Sequence, residues 1–107
     1  MNKYLIRNDD GEDIVVVPIS TTYRNNGTLA ILLYDDSNNY LCDVTVNLTG
    51  ISAPNTNCAF IDTNNSPWLI DFINTYQLGV PTGRTCRSGY CSYPEYRFDV
   101  DKLNQEN

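Results

Sequence analysis

The run Thr28-Leu29-Ala30-Ile31-Leu32-Leu33-Tyr34 is apolar on both faces of an extended chain. Successive side chains of a strand point to opposite faces, and here both sets are apolar. A strand of this kind has to be covered on both sides, so it belongs in the middle of a sheet rather than at its margin. We therefore predict a central strand at residues 28–34.

Turn sequences bound this strand on both sides. Arg24-Asn25-Asn26-Gly27 precedes it, and Asn-Gly is the strongest short signal for a hairpin. Asp35-Asp36-Ser37-Asn38-Asn39 follows it. Upstream, residues 12–19 are rich in β-branched side chains and predict a strand, which Pro18 should end or confine to an edge. Downstream, residues 40–49 alternate apolar and polar side chains, which is typical of a half-buried strand.

Two shorter strands and one helix complete the predicted pattern. The strands are residues 3–7 and 58–62. The helix is capped by Asn64 or Asn65, has Pro67 in its first turn, and ends before Gly79. Its large apolar side chains share one face at helical spacing and are expected in the core; they are Trp68, Leu69, Phe72, Ile73 and Tyr76. The predicted fold is α+β, a mainly antiparallel sheet of about five strands with one amphipathic helix packed on it.

Residues 80–97 interrupt this pattern. Pro81, Gly83, Gly89 and Pro94 are expected to break regular structure, so we predict a long loop here, followed by a final edge strand near Phe98. No linker or internal repeat separates the chain into parts. We therefore expect a single α+β domain over residues 1–107, in which residues 103–107 form a frayed polar tail.

Composition restricts the range of partners. The chain has 107 residues, 41 % of them apolar, and carries thirteen carboxylates against seven lysines and arginines, a formal net charge of −6. Direct binding to nucleic acid requires a cationic surface, so we expect a protein partner instead. No apolar run reaches the roughly 18 residues of a membrane span. The segment Met1–Arg7 lacks the apolar core of a signal peptide, and a cytoplasmic location is expected.

The absence of histidine removes the commonest general base and the commonest metal ligand. Neither a phosphate-binding loop nor a dinucleotide fingerprint is present, and Val80–Thr85 resembles such a loop only superficially. We therefore predict a protein without a catalytic residue, cofactor or metal. The alternative is a carboxylate-dependent enzyme that uses Asp62, Asp71 or Glu95.

Four cysteines allow several states. Cys42 and Cys58 fall in predicted strands and are expected to be buried thiols. Cys86 and Cys91 can be free thiols, a disulfide, or half of a zinc site that Cys42 and Cys58 would have to complete. A reducing compartment favours the thiols.

The predicted binding residues form two groups. The first combines side chains enriched in protein interfaces and consists of Arg84, Arg87, Tyr90, Tyr93, Tyr96 and Arg97. The second is acidic and consists of Asp9, Asp10, Asp35 and Asp36. A purely structural interpretation is also open, in which the tyrosines pack on the sheet, the arginines neutralise nearby aspartates, and the acidic clusters are solvated turns.

Several segments resemble a family of small uncharacterised proteins carried by conjugative elements and phages of gut bacteria. The matching segments are Cys58–Asn65, Pro67–Trp68, Leu78–Thr85, Ser88–Cys91 and Tyr93–Asp99, together with Asn26–Ala30 and Leu33–Asp35. Small acidic proteins on such elements often inhibit host defence, and anti-CRISPR proteins are among them. The resemblance implies a stoichiometric inhibitor of a CRISPR effector nuclease of the Cas9 type. An accessory protein that binds one of the element's own proteins is the alternative.

Overall fold

The computed structural model describes residues 1–8, 10–48 and 56–106. Asp9 of the predicted acidic group and residues 49–55, the first of which ends the strand predicted over residues 40–49, lie outside the described residues. Within them are nine strands, one α-helix and one 3₁₀ turn, in this order along the chain: β1 Tyr4–Arg7, β2 Asp13–Thr22, β3 Leu29–Asp35, β4 Tyr40–Asp43, β5 Thr45–Val46, β6 Cys58–Ile61, α1 Leu69–Thr75, β7 Gly79–Ser88, β8 Cys91–Phe98, the 3₁₀ turn Val100–Lys102, and β9 Asn104–Gln105.

The strands form two sheets. The first has the order β1-β2-β3-β4, all antiparallel, and β9 joins β2 in parallel. The second has the order β5-β6-β8-β7 and is antiparallel throughout. The prediction of a mainly antiparallel fold with one helix is confirmed. The predicted count of about five strands is wrong, because the described residues form nine strands in two sheets.

The predicted central strand is confirmed. β3 lies between β2 and β4, and the turn at residues 24–27 joins it to β2 as a hairpin. The Tyr23 N–H donates to the Thr28 carbonyl at 2.9 Å, and Gly27 has a φ of 69°, which glycine adopts without steric cost. Ile31 and Leu33 on one face are almost completely buried, and on the other face Ala30 is buried and Leu32 is half-buried.

Val44 is the point where the chain passes from the first sheet to the second. Its N–H donates to the Ile31 carbonyl in β3, and its carbonyl accepts the Asp62 N–H at the end of β6, both at 2.9 Å. The single strand predicted over residues 40–49 is therefore two strands in different sheets. Thr45, predicted to face outward, is buried and accepts the Ile31 N–H at its hydroxyl, 3.1 Å away.

Each of the three prolines within strands stands where no hydrogen bond is lost. Pro18 forms a non-hydrogen-bonded pair with Leu33 of β3, so its nitrogen faces the gap between β1 and β9. The Pro18 carbonyl on that side accepts the side-chain amide of Asn104 at 2.9 Å. β2 therefore continues through Pro18, contrary to the prediction. Pro81 and Pro94 likewise do not break β7 and β8.

The helix is shorter than predicted and has different ends. Asn65 does not cap it, since both its N–H and its side-chain amide donate to the Asp62 carboxylate. At the far end, Gln77 rather than a glycine takes the left-handed conformation, with φ 54°. The Gln77 N–H donates to Asn74 and the Leu78 N–H donates to Ile73, the pattern of a Schellman motif.

One core joins the helix to both sheets. Leu69, Phe72 and Ile73 of α1 are buried in the same cluster as Leu33 of the first sheet and Phe98 of the second. Burial of such side chains is the main source of stability for a domain of this size.

The tail expected to fray is instead hydrogen-bonded in its described part. Asn104–Gln105 pairs with β2, and the Glu106 N–H donates to the Ser20 carbonyl at 3.1 Å. The Asn104 side chain also accepts the N–H of Asn2 and donates to the carbonyl of Asn2. These bonds satisfy backbone groups at the start of the described chain.

Candidate protein-binding surfaces

The segment predicted as a long loop is a β-hairpin. β7 and β8 are joined by Gly89-Tyr90, and the residues that flank this pair, Ser88 and Cys91, face each other across the ladder. Gly89 has a φ of 63° and Tyr90 does not have a positive φ, the pattern of a type II′ turn. The turn leaves the Tyr90 side chain fully exposed at the tip.

A bulge in β7 lies opposite Glu95. Pro81 pairs with Tyr96 and Thr85 with Pro94, so the residues 82–84 face Glu95 alone. Gly83 supplies the positive φ of 90° that this irregularity contains. The bulge, rather than a phosphate loop, is what the sequence Val80–Thr85 forms.

The bulge holds the side chain of Glu95, which is only 3 % exposed. The Thr82 hydroxyl donates to Glu95 Oε1 at 2.7 Å, and Arg84 Nη1 lies 3.4 Å from Oε2. Arg84 is thus partly neutralised, as the structural interpretation expected, but its partner is Glu95 rather than an aspartate. A buried carboxylate needs partners of this kind to offset its lost hydration.

The outer part of the hairpin extends beyond its neighbour β6. The pairing between β6 and β8 ends at Phe60 and Glu95, so among the described residues Cys91–Tyr93 pairs only with β7. Pro94, which has no N–H to donate, marks the point where β8 leaves β6. We call residues 85–93 the arm.

The tyrosines and arginines of this region separate into exposed and buried groups. Tyr90, Arg87 and Arg97 are exposed. Tyr96 is buried in the core, where its hydroxyl donates to Asn74 Oδ1 at 3.2 Å, so it does not contribute to a surface. Tyr93 is half-buried, and burial together with a hydrogen bond to Cys91 raises the pKa of its hydroxyl.

Three of the four predicted acidic residues, Asp10, Asp35 and Asp36, lie at one end of the first sheet. The β1–β2 turn contains Asp10, Asp35 is the last residue of β3, and Asp36 follows it in the β3–β4 turn. Because β2 and β3 are antiparallel, with Val16 opposite Asp35, both turns lie at the same end. Asp10 and Asp36 are exposed.

The two aspartates of the second turn have different roles. The Asp35 carboxylate accepts the N–H groups of Asn39 and Ser37 at 2.8 and 2.9 Å, and the side-chain amide of Asn39 at 3.1 Å. These hydrogen bonds hold the pKa of Asp35 below its usual value, and those from Asn39 have the largest effect. Asp36 forms a surface ion pair with Lys3. We call the described carboxylates in these two turns and at the strand ends beside them the acidic end; they are Asp10, Glu12, Asp13, Asp35 and Asp36.

A comparison with protein families shows to which family the chain belongs. The model of a domain of unknown function, DUF4313, matches residues 19–106, which contain both the arm and the β3–β4 turn. The chain belongs to this family. Comparisons with curated proteins and with solved structures found no match.

This DUF4313 protein has an apolar surface around Trp68 that its sequence did not predict. Trp68 was predicted to lie in the core. It is 40 % exposed because it is the N-cap residue of α1 and does not lie within the helix. Leu5 and Leu41 are also exposed. Two shallow grooves are lined in part by Trp68, and Ile6 and Arg7 line both of them. The sequence alone does not reveal this surface, because the exposure of Trp68 depends on where the helix begins.

The groups considered for catalysis or metal binding are dispersed or engaged. All four cysteines are free thiols. Within residues 1–8, 10–48 and 56–106, no three cysteine or carboxylate side chains converge as metal ligands would. Asp62 accepts two bonds from Asn65, and Glu95 is bound by Thr82 and Arg84. In the same ranges, no helix has the length and apolar character to cross a membrane.

Proposed function

We propose that this DUF4313 protein acts without catalysis, as a stoichiometric inhibitor that binds a CRISPR effector nuclease of the Cas9 type. The acidic end of the first sheet is the surface proposed to make the contact. The observation that supports this most is the segregation of charge between the acidic end and the β7–β8 hairpin.

The charge distribution is strongly uneven. The twenty residues of the β7–β8 hairpin, 79–98, include three of the seven basic residues of the chain and one of its thirteen acidic residues. The single acid there, Glu95, is buried. At the acidic end, Arg7 pairs with Asp13 and Lys3 with Asp36, and the carboxylates of Asp10 and Glu12 remain exposed. Segregated charge of this kind steers a protein toward a partner of opposite potential.

A nuclease that holds a nucleic-acid duplex has a cationic channel that contacts phosphates. An acidic protein surface placed in or near that channel competes with the nucleic acid for the same basic side chains. The resemblance to proteins of mobile elements supplies the biological setting, in which a host nuclease is the threat to be blocked. The engaged carboxylates of Asp62 and Glu95 also support a role without chemistry.

The test is a cleavage assay with a guide-loaded Cas9-type nuclease, repeated on a panel of such effectors. We expect cleavage to fall to zero at one inhibitor per nuclease and the complex to survive gel filtration. The double variant Asp10→Asn/Glu12→Gln should weaken inhibition, and its difference from the unaltered protein should be larger at low salt than at high salt, where exposed charges are screened. Asp101→Asn/Glu106→Gln removes the same charge elsewhere and should inhibit normally.

Two results would contradict the proposal. One is the absence of both a complex and inhibition across the whole panel; a specific complex with a protein of the carrying element would then favour the accessory role. The other is turnover of a substrate by the purified protein that Asp62→Asn or Glu95→Gln abolishes without unfolding it.

A further inference from the structure

The arm presents an open strand edge. β7 is the last strand of the second sheet, and among the described residues it pairs only with β8. Its inner half is irregular, because the bulge at residues 82–84 interrupts the ladder and Pro81 offers no N–H at the outer edge. Its outer half, Thr85–Ser88, is regular and ends at the type II′ turn. An open regular edge is a template for an additional strand.

Bonded and non-bonded residue pairs alternate along the β7–β8 ladder, and this alternation determines which backbone groups of β7 have no partner in β8. Ser88 and Cys91 flank a two-residue turn and therefore exchange hydrogen bonds with each other. Alternation then makes Cys86 and Tyr93 the next bonded pair, and leaves Thr85 and Arg87 in non-bonded pairs. The N–H and carbonyl groups of Thr85 and Arg87 consequently point away from β8, toward the open edge. Within the described part of the chain, the Arg87 carbonyl receives only a contact from the Cys86 sulfur at 3.7 Å.

The side chains beside this edge indicate what can occupy it. Arg87 is exposed and belongs to the face that Thr85 and Ser92 share, whereas Cys86 on the other face is buried. A second copy of the chain that added here in antiparallel register would bring Arg87 close to its own counterpart, and like charges across strands are unfavourable. A partner strand with a carboxylate opposite Arg87 is favoured instead.

We propose that the open edge of β7 at Thr85 and Arg87 binds an extended acidic segment of a partner protein by strand addition. Backbone hydrogen bonds to these two residues give the affinity, and the pairing of a carboxylate with Arg87 gives the selectivity. Tyr90, fully exposed at the tip, provides a rigid aromatic contact beside the added strand. This inference goes beyond the proposed function, because it concerns another surface and does not require a nuclease.

The probe is a capped peptide of about ten residues in which glutamate and valine alternate. Its control contains lysine in place of glutamate. Amide hydrogen exchange of the full chain is followed with each peptide. We expect the glutamate peptide to slow exchange at Thr85 and Arg87 by about ten-fold or more, and the lysine peptide to leave both amides unchanged.

Two variants make the test specific. Arg87→Glu should weaken the glutamate peptide about five-fold and reverse the preference in favour of the lysine peptide. Thr85→Pro removes one outward N–H at an edge position where proline is tolerated, and it should weaken binding while the free protein keeps its fold. The variant Asp10→Asn/Glu12→Gln should bind the glutamate peptide at least as well as the unaltered chain, which separates this inference from the proposed function.

Several outcomes would overturn the proposal. Unchanged exchange at both amides is one, and equal binding of the two peptides is another. Slower amide exchange at Ser92 instead of at Thr85 and Arg87 would show that the peptide adds to the opposite edge of the arm, along β8. Protection of Thr85 and Arg87 in a dimer of the free protein would make a second copy the occupant.

Discussion

The hydroxyl of Thr82 donates a 2.7 Å hydrogen bond to the carboxylate of Glu95, and it does so across a bulge that gives Glu95 three facing residues instead of one. Glu95 is almost entirely buried, and Thr82 and Arg84 are the side chains that contact its carboxylate oxygens among the described residues.

Thr82→Val should therefore destabilise the protein by about 1–2 kcal/mol, because the buried carboxylate loses its closest donor while the side-chain volume is conserved. Urea unfolding measures the loss. Thr85→Val, three residues along the same strand at an exposed position, is the matched control and should change stability by less than about 0.5 kcal/mol. Equal effects of the two variants would show that the bond contributes nothing.

Gln77→Gly should stabilise the protein by about 0.5–1 kcal/mol. Gln77 has a φ of 54° at the end of α1, a conformation that costs a residue with a side chain more than it costs glycine. Gln77→Ala keeps the unfavourable conformation and should give no such gain. Thermal unfolding of the three proteins provides the comparison, and a Gly variant no more stable than the Ala variant would contradict the prediction.

Gly79→Ala should destabilise the protein by about 1–3 kcal/mol. A Cβ at this position would lie 2.9 Å from the Arg97 carbonyl oxygen and 3.2 Å from Phe98 Cδ1. The backbone oxygen belongs to the neighbouring strand and cannot rotate away as a side chain could. A thermal midpoint equal to that of the unaltered protein would mean that β7 shifts without cost.

Asp35 should make stability depend on pH in the acid range. Its folded pKa lies below the ordinary value of 3.8, because Asn39 and Ser37 donate to the ionised carboxylate. Its contribution is therefore complete above that ordinary value and is lost as the pH falls through the lowered folded pKa. Urea unfolding of the unaltered protein and of Asp35→Asn should show a difference that is constant near neutral pH and shrinks on acidification. A difference that does not change with pH would contradict this.

Local signals in the sequence were sufficient for the hairpins and the central strand of the first sheet, but not for β9 or for the continuation of β2 past Pro18. The Asn-Gly turn, the Asp35–Asn39 turn and the two-sided apolar pattern of residues 28–34 predict the hairpins and the central strand, because each depends only on neighbouring residues. The alternation over residues 40–49 was equally clear but misleading. The chain changes sheets at Val44, and a period of two residues does not reveal which sheet a strand belongs to.

The prolines explain why the second sheet was not predicted. A proline breaks a strand only where its missing N–H was needed, and that depends on the phase of the ladder and on where neighbouring strands end. Pro81 faces the outer edge and Pro94 faces the end of β6, so both are tolerated. This information is tertiary and cannot be obtained from spacing alone.

The same limitation affected the candidate surfaces. Tyr93 and Tyr96 are an odd number of residues apart and so point to opposite faces of β8, but this distinction exists only once a strand is assigned. The tip position of Tyr90 and the role of Arg84 as a partner of Glu95 follow from the turn and the bulge, which the predicted loop did not contain. The acidic residues, by contrast, fall in turns that local sequence predicts well.

The two backbone hydrogen bonds of Val44 affect how the protein unfolds. A single residue donates to one sheet and accepts from the other, so strand separation at that point in either layer strains the backbone of its neighbour. Layers connected in this way melt in concert rather than one after the other. The Val44 amide should consequently be among the last to exchange its hydrogen with solvent.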